Sequence, residues 1–167
     1  MNTDNKQSNF DQLNRFQQSE LIGRKALEEA FPNRNFQYTT GAYDTYDAFI
    51  DGDFKISLFE IKIRNASYDD YILESKKLNA LIREAKKLYE QGYITVNIYY
   101  VNFTPSGTYV WDLSKAVKNL KKGSAFAGKT TAEASSKVNK SVYYLPVNRA
   151  YKIDYIINKE EIVEKLK

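Results

Sequence analysis

Three residues in one short stretch have the types and spacing to do chemistry together: Asp47, Glu60 and Lys62, within YDAFIDGDFKISLFEIKIRN at positions 46–65. Asp51-Gly52-Asp53 has turn composition; Asp47 opens a strand before it, and Phe54 to Ile63 alternates as a longer strand after it. On that second strand Ile56, Leu58, Glu60 and Lys62 share one parity, while Lys55, Ser57, Phe59, Ile61 and Ile63 share the other. At roughly 3.3 Å per residue the Cα atoms of Glu60 and Lys62 are about 7 Å apart, close enough for both side chains to converge on one phosphate or one metal. A carboxylate and an ammonium on the same face as two aliphatic side chains are costly to bury unless they have partners or a task.

The rest of the composition narrows that task. Among 167 residues there is no histidine and no cysteine. Disulfides, thiolate nucleophiles, zinc fingers and histidine general bases are thereby excluded, leaving carboxylates, Lys, Ser/Thr, Tyr or a hard metal. The length suits a single domain over 1–167 with a sizeable core. A hydrophobic share of 43%, 28% charged residues, 7 Gly and 3 Pro describe a folded protein, unusual mainly in its 14 Tyr. The opening MNTDNKQSNFDQLN is polar, and no later apolar run approaches bilayer length, so a cytoplasmic protein without membrane contact is expected. Net charge is only +4, but it is unevenly placed: Lys115, Lys118, Lys121, Lys122, Lys129, Lys137 and Lys140 face a single acid, Glu133, across that segment. Such a local basic field suits a polyanion.

Elements must position these groups. Residues 1 to about 11 are polar and expected to fray. From Asp11 to Phe31 the positions Leu13, Phe16, Glu20, Gly23, Leu27 and Phe31 recur at helical spacing, with Asp11 as the expected cap and Pro32-Asn33 as the stop. Glu20 interrupts that apolar stripe, either as a carboxylate that reaches out to solvent from its edge or as an auxiliary member of the acidic site. Phe36 to Gly41 reads as a short strand or approach loop. After the hairpin, Ser67 or Asp69 is expected to cap a helix running to Gln91, with Tyr71, Leu78, Ile82, Ala85 and Tyr89 on one face. Lys76 then faces solvent and Lys77 lies on the flank beside Leu81 and Leu88, placed either to solubilise the helix or to reach a ligand. Tyr93 to Phe103 has the near-continuous apolarity of a strand covered on both faces, and Thr108 to Trp111 reads as its neighbour. Asp112 is expected to cap a short helix closed by Gly123, and residues 121–141 read as a mobile basic loop. Val142 to Val147 resumes a strand, and Asn158 caps a closing helix.

Helix, strands bearing Asp and Glu-x-Lys, helix, strand: this order resembles the PD-(D/E)XK nuclease superfamily. The residues that carry the resemblance are Asp47 at a strand start and Glu60-Ile61-Lys62, over roughly Leu13 to Trp111. Glu20 stands where many members keep a first-helix glutamate, and Lys77 resembles a basic position of some resolvase-like members. Tyr46 occupies the place of the motif's Pro, which is often absent. The resemblance implies an α/β fold of the restriction-endonuclease-like type, a central mixed sheet flanked by helices in α-β-β-β-α-β order with C-terminal additions. It implies a metal-dependent endodeoxyribonuclease hydrolysing DNA phosphodiesters, restriction-like or Holliday-junction-resolvase-like, and it is compatible with a two-fold homodimer. Asp47, Glu60 and the backbone carbonyl of Ile61 would hold Mg2+ or Mn2+, Glu20 would complete a second metal position or act behind the first, and Lys62 would orient the attacking water or stabilise transition-state charge. Lys77, Lys129, Lys137 and Lys140 would contact phosphates, and the tyrosines would serve as core filler or stack on unpaired bases. The alternative is a non-catalytic nucleic-acid-binding or assembly protein that retains this fold, which has no chemical need for Asp47, Glu60 and Lys62 together. A plain α/β interaction domain would instead show Glu60 and Lys62 as an exposed pair on an edge strand.

Overall fold

The computed structural model describes residues 9–41, 44–116, 119–128 and 137–167. Its elements are α1 (Arg15–Ala30), β1 (Gln37–Tyr38), β2 (Ala48–Asp51), β3 (Lys55–Ile63), β4 (Asp70–Glu74), α2 (Ser75–Glu90), β5 (Thr95–Thr104), β6 (Gly107–Asp112), α3 (Leu113–Ala116), β7 (Lys121–Gly128), β8 (Lys137–Pro146), β9 (Tyr151–Ile153) and α4 (Lys159–Leu166). Six strands form one sheet in the order β1-β2-β3-β5-β6-β9, and β4-β8-β7 form a second. Within the large sheet β3 and β5 run parallel, from Lys55 opposite Thr95 to Ile63 opposite Phe103, and the other pairs are antiparallel. The parallel pair requires a crossover, and α2 provides it.

Period-2 alternation on β3 and β5 sorts the core into two layers. Ile56 and Leu58 join Val96, Ile98, Tyr100 and Trp111 beneath Leu78, Leu81, Ala85 and Leu88 of α2. On the other face Phe59, Ile61, Val101, Phe103 and Val110 pack with Ala26 and Leu27 of α1 and Ile162 of α4. Gly23 lets α1 lie close to the sheet: a Cβ there would meet Ile61 Cγ2 at 3.2 Å. This central mixed sheet between helices, in α-β-β-β-α-β order apart from the inserted β4, agrees with the arrangement that the resemblance implies. No helix among the described residues is long and apolar enough to cross a membrane.

The structure corrects four local expectations. The first helix starts after Asn14 and not after Asp11: Asn14 Oδ1 accepts from Phe16 N and Gln17 N, and Gln17 Oε1 accepts from Asn14 N. This reciprocal capping box satisfies more of the helix's free N–H groups than a lone Asp can. The stretch after Asn65 enters a strand before its helix, because Tyr71 and Leu73 are buried by alternation while β4 pairs with β8. The buried face of α2 is consequently Leu78, Leu81, Ala85 and Leu88, leaving Ile82 and Tyr89 exposed at 44% and 50%. Residues 121–128 and 137–141 are strand where an irregular loop was expected, and the strand expected from Val142 onward starts at Lys137 and pairs with β7. Their small residues fit a tight ladder: a Cβ on Gly123 would stand 2.6 Å from the Tyr144 ring. β9 has no clear sequence signal; it pairs with β6 at the sheet edge.

Trp111 joins the two sheets. It is fully buried, its ring lies against Tyr71, Tyr100 and Tyr109, and its indole N–H donates to Pro146 O at the end of β8, 3.0 Å away.

Candidate active site

The hairpin β2–β3 places Asp47 and Glu60. The Asp47 N–H donates to Phe59 O at 2.9 Å, which carries the ladder one residue beyond Ala48, and its Oδ2 accepts from the Ile61 N–H at 2.6 Å. Its carboxylate is thus fixed at the end of the strand beside Glu60. Glu60 itself is 1% exposed, on a strand flanked by β2 and β5, so the surface-pair reading of an edge strand does not hold. Two ammoniums compensate its charge: Lys62 Nζ is 3.1 Å from Oε1 and Lys77 Nζ is 3.1 Å from Oε2. Lys77 also donates to Thr45 O at 3.2 Å. Glu60 Oε2 nevertheless has no hydrogen bond, since Lys77 approaches at ion-pair distance without donor geometry. Buried charge is retained here with a lone pair unused, a costly arrangement that stability alone does not explain.

The electrostatics bind the group into one unit. Burial and then the Glu60 charge push the Asp47 carboxyl up to about 6, against the Ile61 N–H and the charges of Lys62 and Lys77. Desolvation works against the Lys62 ammonium, but Glu60, Tyr100 and Asp47 outweigh it and hold its pKa above the usual lysine range. About half of the Lys62 side chain remains exposed, so the ammonium faces both Glu60 and solvent.

A second polar group adjoins the first and is less visible in the sequence. Arg64 follows Glu60 and Lys62 at the same parity, and that spacing is the signal that could have found it. Its Nε donates to Asn102 Oδ1 at 2.8 Å, and its Nη2 donates to Tyr100 Oη at 2.8 Å and to Ile72 O at 3.2 Å. Tyr100 lies opposite Glu60 and Asn102 opposite Lys62 in the β3–β5 register. Asn102 is fully buried and its Nδ2 has no hydrogen-bond partner.

The remaining expected residues fall elsewhere. Glu20 is an exposed residue of α1, paired with Arg24, which also donates to Thr39 O at 2.6 Å. Lys77 is drawn into the Glu60 cluster. Lys137 is exposed at the start of β8, and Lys140 donates to Glu74 Oε1 at 2.7 Å. Lys129 lies outside the described residues.

Among the described residues no group of three or more Asp, Glu, His or Cys could hold a metal ion. Mg2+ and Mn2+ do not require three, because they keep several waters and bind through one or two carboxylates plus substrate phosphate. The unsatisfied Glu60 Oε2 and the crowding of Asp47 by the Glu60 charge fit such a cation.

Among solved structures the chain is similar to Hjc, a Holliday junction resolvase from the archaeal hyperthermophile Archaeoglobus fulgidus, with a TM-score of 0.49, 12% identity, and coverage of 86% of this chain and 99% of that chain. No family model matches the chain, and no curated protein does.

Proposed function

We propose that the protein is a divalent-metal-dependent nuclease acting on DNA, with Asp47, Glu60 and Lys62 at its centre. The observation that carries this reading is the buried Glu60 carboxylate, held between two ammoniums yet with Oε2 left without a hydrogen bond, beside a second carboxylate whose ionisation it suppresses. Asp47 and Glu60, with the backbone carbonyl of Ile61, would hold Mg2+ or Mn2+. When bound, the cation supplies charge neutralisation at the scissile phosphate and lowers the pKa of the attacking water. Lys62, half exposed and charged, would stabilise the negative charge added in the transition state. Lys77 would give up Glu60 Oε2 in that state and meet a substrate phosphate instead. Glu20 would have to leave Arg24 before it could act behind the first two acids.

Supercoiled plasmid and branched DNA incubated with Mg2+, Mn2+ or EDTA test the reading. Cleavage is expected with metal only, and Glu60→Gln or Lys62→Ala should each lower it by about 10²–10³-fold while leaving circular dichroism unchanged. Activity surviving either substitution would mean that the centre lies elsewhere. The closed Glu60–Lys62–Lys77 cluster, without a third acid among the described residues, favours one second reading: a protein of the same fold that binds nucleic acid without cutting it. Metal-independent DNA binding with no cleavage under any of those conditions would select it.

A further inference from the structure

The strands β7 and β8 hold Lys121, Lys122, Lys137 and Lys140 and no Asp or Glu. Their register sets Lys122 opposite Tyr143, Ser124 opposite Ser141, Phe126 opposite Asn139 and Gly128 opposite Lys137, all on one face of the ribbon. At its root this face is anchored. Tyr143 packs on the core under α2, and Ser141 Oγ lies 2.9 Å from Ser75 Oγ at the start of α2, the helix whose Lys77 reaches Glu60. Farther out, two residues beyond Ser124, Phe126 is 66% exposed and contacts no other aromatic ring among the described residues. Lys137 is its diagonal neighbour, about 7–8 Å away, and Lys122 lies roughly 13 Å back along the strand. Lys140 points to the other face, beside Ala125, and is engaged with Glu74.

An apolar ring displayed among cations on a ribbon without acids calls for a polyanion that also offers a flat apolar surface. Nucleic acid does both, but only where a base face is open. Stacking on an aromatic side chain is favourable for any base with an open face, whereas unstacking an intact step costs at least as much as that stacking returns. Phe126 therefore gains little on a continuous duplex and most of its stacking energy where the stack is already interrupted. We propose that this ribbon face is a wedge for DNA with an interrupted stack, at a branch point or beside an unpaired segment. Phe126 stacks on the exposed base, and Lys122 and Lys137 contact the flanking phosphates. The proposal rests on the DNA reading above and names the substrate class of that site.

Binding measured by fluorescence anisotropy in EDTA separates the wedge from the chemistry. A four-way junction, a fork and a linear duplex of matched length serve as probes, with 2-aminopurine at the branch position. The wild type is expected to favour the junction and fork over the duplex and to change the 2-aminopurine emission. Phe126→Ala should lose about tenfold on the open substrates and little on the duplex, and Phe126→Trp should retain the preference. Lys122→Ala with Lys137→Ala should weaken all three probes alike and flatten the salt dependence. An unchanged ratio of open to linear binding in Phe126→Ala would overturn the wedge, as would binding of an acidic polypeptide at the same face in place of DNA. Loss of the ratio in Phe126→Ala supports the wedge even if Glu60→Gln and Lys62→Ala show that the catalytic assignment fails.

Discussion

Asp47 is the residue at which protonation, stability and the proposed metal site meet. Its carboxyl titrates near 6 in the fold against an ordinary 3.8, because burial and Glu60 both oppose its charge. Between those values the folded state binds more protons than the unfolded chain, so this group's contribution to stability falls as pH rises through that window. Metal-free protein is accordingly expected to lose stability between pH about 4 and about 6, and Asp47→Asn should flatten that slope. At pH 8 the same substitution should stabilise the metal-free protein by about 1 kcal/mol, as judged by urea denaturation in EDTA. A slope that persists in Asp47→Asn would place the titrating group elsewhere. Conversely, a bound divalent cation favours the ionised carboxylate, so chelation at pH 8 should lower the thermal midpoint of the wild type and leave that of Asp47→Asn nearly unmoved.

At the scale of elements, α2 decides how far side-chain periodicity can be trusted. Leu81 is fully buried over the sheet and Ile82 is largely exposed, although both are aliphatic and adjacent. Leu81→Ala should cost about 2–4 kcal/mol and Ile82→Ala less than about 0.5 kcal/mol, a contrast that equilibrium unfolding resolves directly. Equal costs would restore the face read from Tyr71, Ile82 and Tyr89. That face misled because Tyr71 belongs to β4, so the periodic series began outside the helix. The hairpin around Asp51-Gly52-Asp53 and the β5 strand were legible because turn chemistry and alternation are local. The pairing of β4 with β8 was not, since a ladder between residues 70–74 and 142–146 leaves no trace in either segment alone. In the site, the convergence of Glu60 and Lys62 follows from parity, whereas the reach of Lys77 to Glu60 depends on how α2 is rotated, which only tertiary packing sets.

At the scale of the whole molecule, Arg64 fastens the two sheets beside the candidate site. It bonds Asn102 and Tyr100 on β5 and the Ile72 carbonyl on β4. Arg64→Met would strand the buried Asn102 Oδ1 and should cost about 1–3 kcal/mol. Amide exchange of the β4–β8–β7 sheet should rise more than that of β3 and β5; uniform exchange across both would mean the sheets open together. The same joint contains Trp111, the one tryptophan of the chain, wedged among three tyrosines and bonded to the end of β8. The protein therefore carries its own optical gauge. Light absorbed by the surrounding phenols can pass to a single indole, whose emission shifts to the red as soon as water enters the seam. A stopped-flow trace of that emission would time the parting of the sheets, with no label attached.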